Sequence, residues 1–451
     1  MAAGACAGVD WAKDTHDVVV EDGDGERLWE ATVAHDEAGL TRLCRELMRL
    51  GVQRVAVERP DGLLVERLLD AGLTVIAMHP NQVAAARPRF RPAGGKSDRF
   101  DAFVLCELAR TDHHRFRALV PDSDQTKALR ALTRGRELLV EQRVALCNQL
   151  RAELERFWPG ATMIFADLDS PIALAFLERY PSPVDARGLG EKRLAQWLAR
   201  QHYCGRRSPA ALLERLRQAP RGRAGELEAD ARRGIVLALV AALKPIVEQI
   251  RLLTSEIAHA VRAHPDGHIF LSLFRDPKSV VCAATLLAEI GDCRERYPTA
   301  QHLAADAGMS PVAVESGRRK VACFRRGCDH RLREATSTLA DATRHWHPWA
   351  ADRYAAARAR GHDHSRAIRT LGRAWTRVLW RCWQDGVAYD PARHRAPQQH
   401  CAVTIPTPSG PRPDLTATQR MLGATVTHGA AQRAEREALD GKPTTATPLG
   451  G

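Results

Sequence analysis

What most constrains this chain is the alternation of short β-prone runs with helical stretches in its first hundred residues, and the acids that stand where those runs end. Small and β-prone residues open as a strand, Cys6-Ala-Gly-Val-Asp10, and Val18-Val-Val20 follows after a polar break. The Gly-containing EDGDGE at 21–26 predicts a hairpin turn. Leu40, Leu43, Leu47 and Leu50 share one face of a helix over 36–50, and VQRVAVE at 52–58 alternates as a strand. LLVERLLDAG predicts a short helix and TVIAMH at 74–79 a further strand. A strand-rich start followed by alternating helix and strand is an α/β layout built on a sheet core.

Asp10 ends the first strand and Glu58 closes the fourth. Asp98 and Asp101 lie three apart in KSDRFDAFVLCELA, on one face of an apolar helix, and Asp98 is also placed as its N-cap. Four carboxylates converging from two strand ends and a helix start repel one another unless a cation joins them. All-oxygen donors of this kind suit Mg²⁺ or Mn²⁺. A pair of such ions activates a nucleophile and stabilises a leaving oxygen in phosphoryl transfer. Each acid also has a plainer reading: Asp98 a cap, Asp101 a surface residue, Glu58 a salt-bridged loop carboxylate. Asp14 and Asp17 are nearby alternatives to Asp10 and rank below it.

At 451 residues the chain has room for two to four domains, and 45% hydrophobic with 27% charged residues suits a globular protein. A net charge of +12 favours polyanionic partners such as DNA or RNA, although an Arg-rich composition bias gives the same sum, so the arrangement of charge decides. The eleven cysteines form no CxxC pair. With no secretory leader and no apolar run of the ~20 residues that a membrane span needs, the expectation is a reducing cytoplasm and no membrane.

The stretch from Ser123 to Trp158 reads as one long helix, with Leu129, Leu132, Leu139, Leu146, Leu150 and Leu154 as its apolar stripe. Lys127, Arg130, Arg134, Arg136, Arg143 and Arg151 add a basic surface. This is either a solvated helix covering the first domain or a coiled-coil arm that joins subunits and touches nucleic acid. Residues 160–220 read as short helices and loops, and 226–263 as a second long helix that Pro245 should bend or interrupt. Together the long stretches make an antiparallel hairpin.

Residues 268–292 read as helix, short turn, helix. Between Arg318 and Arg333 stand seven Arg or Lys against one Asp, with Ser316-Gly317 in a loop just before them. Cys323, Cys328 and His330 lack zinc spacing and read as core packing plus a surface histidine. Arg358, Arg360, Arg366, Arg369, Arg373, Arg377 and Arg381 form a further stripe beside Trp375, Leu379, Trp380 and Trp383, an amphipathic helix whose arginines suit phosphate. From 391 to 451 the composition is that of a disordered tail.

AGVDWAK at 7–13, VERPDG at 57–62, HPNQV at 79–83 and KSDRFDA at 96–102 resemble the signature of the DEDD transposases, the RuvC-like recombinases of IS110-type insertion sequences. Gln301, Gly308, Pro311, Ser316, Gly317, Arg326-Gly327 and Leu332-Arg333 resemble the family's second block. The resemblance implies an RNase H-like (RuvC-like) α/β domain over 1–115, a helical or coiled-coil arm over 116–265 and a mostly α C-terminal domain over 266–390. It implies that Asp10, Glu58, Asp98 and Asp101 hold Mg²⁺ or Mn²⁺, with Lys96 beside them meeting a phosphate. Ser316 becomes the nucleophile that attacks the scissile phosphate and carries the DNA end as a phosphoserine ester. Arg318, Arg319, Lys320, Arg325, Arg326, Arg333, Arg369, Arg373 and Arg377 are the expected nucleic-acid contacts.

Two departures stand out. Many relatives follow the glutamate with a small residue and Gly, where this chain has Arg59-Pro60-Asp61-Gly62. Their Pro-Gly-Ile-Gly type loop is replaced by Arg275-Asp-Pro-Lys278, whose charge would stand in for exposed amides. The family further implies cut-and-paste movement through a circular intermediate. Its partners would be element-end and target DNA, a structured bridge RNA as guide, and a second copy in a homodimer that pairs into a tetramer. The long arms and the separation in sequence suggest that Ser316 and the acids meet across two subunits. Three other readings stay open: a RuvC-like metal-dependent endonuclease that makes no use of Ser316, a non-catalytic nucleic-acid-binding protein, and a sugar-kinase-like ATPase, whose opening strand also carries Gly-Val-Asp.

Overall fold

A computed structural model describes residues 4–92, 95, 97–220, 222–316 and 319–393. The chain groups into two compact units, one of residues 1–123 with 292–298, the other of 124–291 with the residues from 299 onward. The arm and the C-terminal domain, drawn apart at 265 on sequence, thus share one unit.

In the first unit β1 (Ala5–Trp11), β2 (Thr15–Glu21) and β3 (Arg27–Ala34) form an antiparallel meander. The expected turn is there: Asp22 Oδ1 accepts from the amides of Asp24 and Glu26, both at 2.9 Å, and Gly25 takes a φ of 92° that favours glycine. Helix α1 (Glu37–Arg49) starts on Asp36, whose carboxylate accepts from the Gly39 amide, and buries Leu40, Leu43 and Leu47. Strand β4 (Val52–Val57), helix α2 (Leu63–Asp70), strand β5 (Thr74–Ala77), helix α3 (Pro80–Phe90) and helix α4 (Asp98–Thr111) follow. The sheet runs β3-β2-β1-β4-β5, with β1, β4 and β5 parallel.

The period of two along each strand sorts the core. Ala5, Ala7, Val9, Val55 and Val57 pack with the leucines of α1 and α2 on one face. Cys6, Ala56 and Ile76 pack with Phe100, Ala102, Leu105 and Cys106 of α4 on the other. After α4 the chain returns to β5, where Leu119 N donates to Val75 O at 2.7 Å and so covers that sheet edge.

In the second unit the long helices are α5 (Asp124–Phe157) and, after α6 (Gly160–Ile164), α7 (Pro171–Arg179), α8 (Glu191–Arg200) and α9 (Pro209–Gln218), α10 (Glu226–Ala263). Thr126 meets His264, Arg136 meets Thr254 and Glu153 meets Arg232, so α5 and α10 are antiparallel as expected. Pro245 does not interrupt α10. It is exposed, as is Ala241, whose carbonyl it leaves without a helical partner, and burial of Leu243 and Ile250 on either side holds the helix through the lost bond. At one end of the pair Leu150, Leu154, Val236 and Val240 share a core with Phe176, Leu194 and Leu212 of the short helices.

Much of the basic surface expected of α5 is used internally, while Lys127 and Arg151 are exposed. Arg130 donates to Ala288 O at 2.7 Å, Arg134 forms a bidentate pair with Glu289 at 2.7 and 3.0 Å, and Arg143 pairs with Asp169. Helices α11 (Gly267–Leu271), α12 (Val280–Ile290) and α13 (Ala300–Asp306) lead to β6 (Val312–Ser316) and β7 (Arg319–Cys323), an antiparallel hairpin not foreseen on sequence. Then come α14 (His330–Thr343), α15 (Pro348–Ala359) and α16 (His364–Asp385). Trp375, Leu379 and Trp383 are the buried stripe of α16, and Trp375 Nε1 donates to Thr343 Oγ1 at 2.8 Å. Arg358 and Arg360 belong to the end of α15 rather than to α16. Cys323 is exposed, against the core placement expected for it.

Candidate functional site

Glycine 8 sets the geometry of the acidic end. A Cβ there would lie 2.0 Å from Ala102 O and 2.3 Å from Cys106 N, so only glycine lets the backbone of α4 press onto β1. Cys6 contacts Ala109 and Cys106, while Gly8 contacts Cys106 and Ala102. The helix therefore runs opposite to the strand, and its first turn lies toward the strand end that carries Asp10. Alternation from Cys6 and Gly8 puts Asp10 on the α4 face; alternation from Ala56 puts Glu58 on the same face. Glu58 stands one step past β4, whose last pairing is Val57 with Val9. Both are half-buried.

Ser97 caps α4, its hydroxyl accepting from Phe100 N at 3.2 Å, so Asp98 is the first helical residue rather than the cap and is exposed. Asp101 is not a surface residue: it is 2% exposed and held by Arg87 through two hydrogen bonds of 2.6 and 2.8 Å. The plainer reading of Glu58 also changes, because Arg59 lies over the Trp11 ring at 4.4 Å and its ion-pair contact is with Asp61. Asp17 stands opposite Asp10 in the β1–β2 ladder and accepts from Thr32 Oγ1 at 2.5 Å.

Arg87 was not singled out on sequence. It follows from HPNQV, which here is a helix start: His79 Nδ1 accepts from Asn81 N, the Gln82 side chain accepts from His79 N, and Pro80 holds the first helical position. Two turns on, α3 delivers Arg87 to the acids. The guanidinium is held more firmly protonated by its hydrogen bonds to Asp101 first, against the cost of burial, and then by the charges of Asp101, Glu58 and Asp10. The run Arg87-Pro-Arg-Phe-Arg91 ahead of two aspartates was the available signal.

Oxygen donors on two adjacent strand ends and a helix start fit a hard divalent cation in chemistry. Among the described residues, however, no three His, Cys, Asp or Glu side chains are gathered tightly enough to hold an ion. The acids share one end of the domain, with an arginine among them. Lys96 lies outside the described residues.

The second candidate group is in the other unit. Ser316 ends β6, exposed and paired in register with Arg319. It is a strand residue, not the loop residue expected. Gly317, Arg318 and the tail from 394 lie outside the described residues; Arg319 and Lys320 lie on β7. Arg326 and Arg377 are exposed, and Arg325, Arg333, Arg369 and Arg373 are half-buried. Arg325 Nε donates to Ser310 O at 3.2 Å, and Arg333 donates to Arg325 O at 2.7 Å, so these two also brace the chain after the hairpin.

Residues 7–159 match a family model described as a transposase of DEDD, IS110 type, and residues 279–355 match one described as transposase IS116/IS110/IS902 family. A protein of Streptomyces coelicolor named as a mini-circle transposase for IS117 is 33% identical over 409 residues, 88% of this chain and 98% of that one. The 44.8 kDa protein of insertion element IS116 from Streptomyces clavuligerus is 29% identical over 85% of this chain and 96% of its own length. Among solved structures, Thermus thermophilus RuvC in complex with a Holliday junction substrate aligns to 26% of this chain and 99% of its own, with 18% identity and a TM-score of 0.21.

Proposed function

This chain belongs to the IS116/IS110/IS902 family of insertion-sequence transposases, and from that premise we propose that it cuts and rejoins DNA through two groups of residues, an acidic metal site and a serine nucleophile. The observation that carries the acidic half is the close packing of α4 on β1 at Gly8, which sets the first turn of α4, with Asp98 and Asp101, at the end of the domain where Asp10 and Glu58 stand. In this reading the N-terminal unit is an RNase H-like domain, and those four carboxylates hold Mg²⁺ or Mn²⁺. The bound ion would supply Lewis-acid stabilisation of charge on the phosphate oxygens. Arg87 holds and orients the Asp101 carboxylate and places a positive charge among the acids.

Ser316 is the proposed nucleophile. Its Oγ forms a bond to the scissile phosphorus as the bond from phosphorus to the leaving sugar oxygen breaks, and the hydroxyl proton ends on that oxygen. The product is a phosphoserine ester, which the reverse attack by another strand end resolves without loss of the phosphodiester's energy. Its exposure at the end of β6 and the basic residues that follow support this role. Of the remaining parts of the proposal, a structured bridge RNA as guide and homodimers that pair rest on family membership. The meeting of acids and serine across subunits rests on the long helical arms and the separation in sequence.

A second reading, a metal-dependent endonuclease without serine chemistry, is favoured by the acids and Ser316 belonging to different units of the chain. One experiment separates them. Protein, Mg²⁺, candidate RNA and labelled element-end DNA are run on a denaturing gel beside Ser316→Ala and Asp98→Ala. The expected result is a covalent adduct with the parent alone. Cleavage without adduct that survives Ser316→Ala but not Asp98→Ala would replace the recombinase by the nuclease.

A further inference from the structure

At the base of the β6–β7 hairpin lies a cleft of about 380 Å³. Met309, Pro311, Ala322 and Phe324 give it apolar walls, Arg325, Arg366, Arg369 and Arg373 give it charge, and His362 lies beside them; no acidic side chain lines it among the described residues. Asp363, next to it in sequence, has a carboxylate oxygen engaged in capping α16 through Arg366 N at 2.6 Å. Arg369 is driven toward its neutral form by burial first, partly offset by Asp363, and then by repulsion from Arg333 and Arg366. His362 is likewise driven toward neutrality by burial and then by Arg366 and Arg360, and its Nδ1 is buried with no hydrogen-bond partner. Cations brought together along a half-open cleft with no acidic lining are arranged for an external anion.

The aromatic wall narrows the anion. Phe324 is 46% exposed, a large apolar side chain left at the surface, and the guanidinium carbons of Arg333 and Arg369 lie 4.7 and 4.9 Å from its ring centroid. Rings and guanidinium planes are the surfaces on which unstacked bases rest. The volume falls at the small end of ligand cavities. Register gives the location: Val312 pairs with Cys323 at the cleft and Ser316 with Arg319 at the far end of the hairpin. Four residue steps of strand put Ser316 about 13 Å away.

We propose that this cleft receives one unpaired nucleotide of a DNA or RNA strand, its phosphate on the arginines of α16 and its base against Phe324. The inference rests on the nucleic-acid reading above and deepens it: the hairpin end would read a strand whose bases are splayed, next to the phosphate presented to Ser316.

The test is fluorescence anisotropy of the full chain with a labelled single-stranded DNA, the same sequence as RNA, and the same sequence as DNA duplex. Parent, Phe324→Ala and Phe324→Trp are compared; the ring is too exposed for its loss to unfold the unit. Phe324→Ala should weaken single-strand binding about tenfold to a hundredfold, with duplex binding changed less than about twofold and Phe324→Trp restoring the strand. The arm that shows the loss, DNA or RNA, names the source. Equal losses for strand and duplex, or none, would overturn the proposal and leave the nucleic-acid reading standing. A parent that binds none of the three would remove that reading, and the cleft's role with it.

Discussion

The acidic end of the first unit and the basic hairpin end of the second meet opposite electrostatic problems by opposite means. The acids sit on parallel strands and a helix held from both faces of a sheet, and the fold itself supplies a countercharge, Arg87 on buried Asp101. The cations of the hairpin end surround a cleft that holds no anionic side chain, and β6 pairs with β7 alone among the described residues. A lone hairpin is marginal by itself. The first region is therefore organised before anything binds, whereas the second, on the proposal above, is completed by what binds.

That contrast is tested most severely at Arg87. Arg87→Ala removes the countercharge from a 2% exposed carboxylate and should cost about 3–4 kcal/mol of stability in EDTA, read by urea denaturation. Mg²⁺ should then restore more stability to the variant than to the parent, because ion and arginine answer the same charge. An equal Mg²⁺ increment in both proteins would show that they do not share the acids.

This is also where sequence reading reached its limit. The strands, Asp10, Glu58, the paired aspartates and both long helices were legible because they depend on local periodicity and on the ends of runs. Arg87 was not, since its partner is fourteen residues away on another helix. Arg130 and Arg134 of α5 misled for the same reason: periodicity put them on a surface, and only the fold shows the carbonyl of Ala288 and Glu289 waiting for them. The hairpin at 312–323 escaped because five-residue strands among basic residues carry too short a pattern to separate from loop.

The second test asks how firmly the acidic end is organised against protons. His16, fully buried on β2 beside the Asp17 that faces Asp10, is pushed down to about 4, chiefly by burial and then by His35, 2.8 Å away. A histidine whose folded value lies below its ordinary 6.5 takes up protons preferentially in the unfolded chain. Its contribution is thus complete above pH 6.5 and is lost as pH falls toward 4, about 3 kcal/mol in all. Urea midpoints at pH 7, 5.5 and 4.5 should fall more steeply for the parent than for His16→Leu. Parallel slopes would assign the acid sensitivity elsewhere.

The smallest effect belongs to the open side of the comparison. Arg377 is exposed on α16, and Arg377→Ala should leave stability within about 0.5 kcal/mol while lowering the slope of log affinity for DNA against log salt by about one. An unchanged slope would take Arg377 off the nucleic-acid face.

The paired long helices also act as a ruler. Helix α5 has 34 residues and α10 has 38, rods of about 51 and 57 Å. The cap of short helices joins α5 near Leu150, and α12 joins it near Arg134, about 24 Å back along the axis. Length here is tied to rotation. One residue inserted between those points in α5 would turn the cap by about 100° relative to α12, while whole heptads added to both arms would lengthen the rod and nearly preserve its facing. Natural variation between these points should therefore come in about seven, eleven or eighteen residues, the lengths that bring the helix back to nearly the same facing.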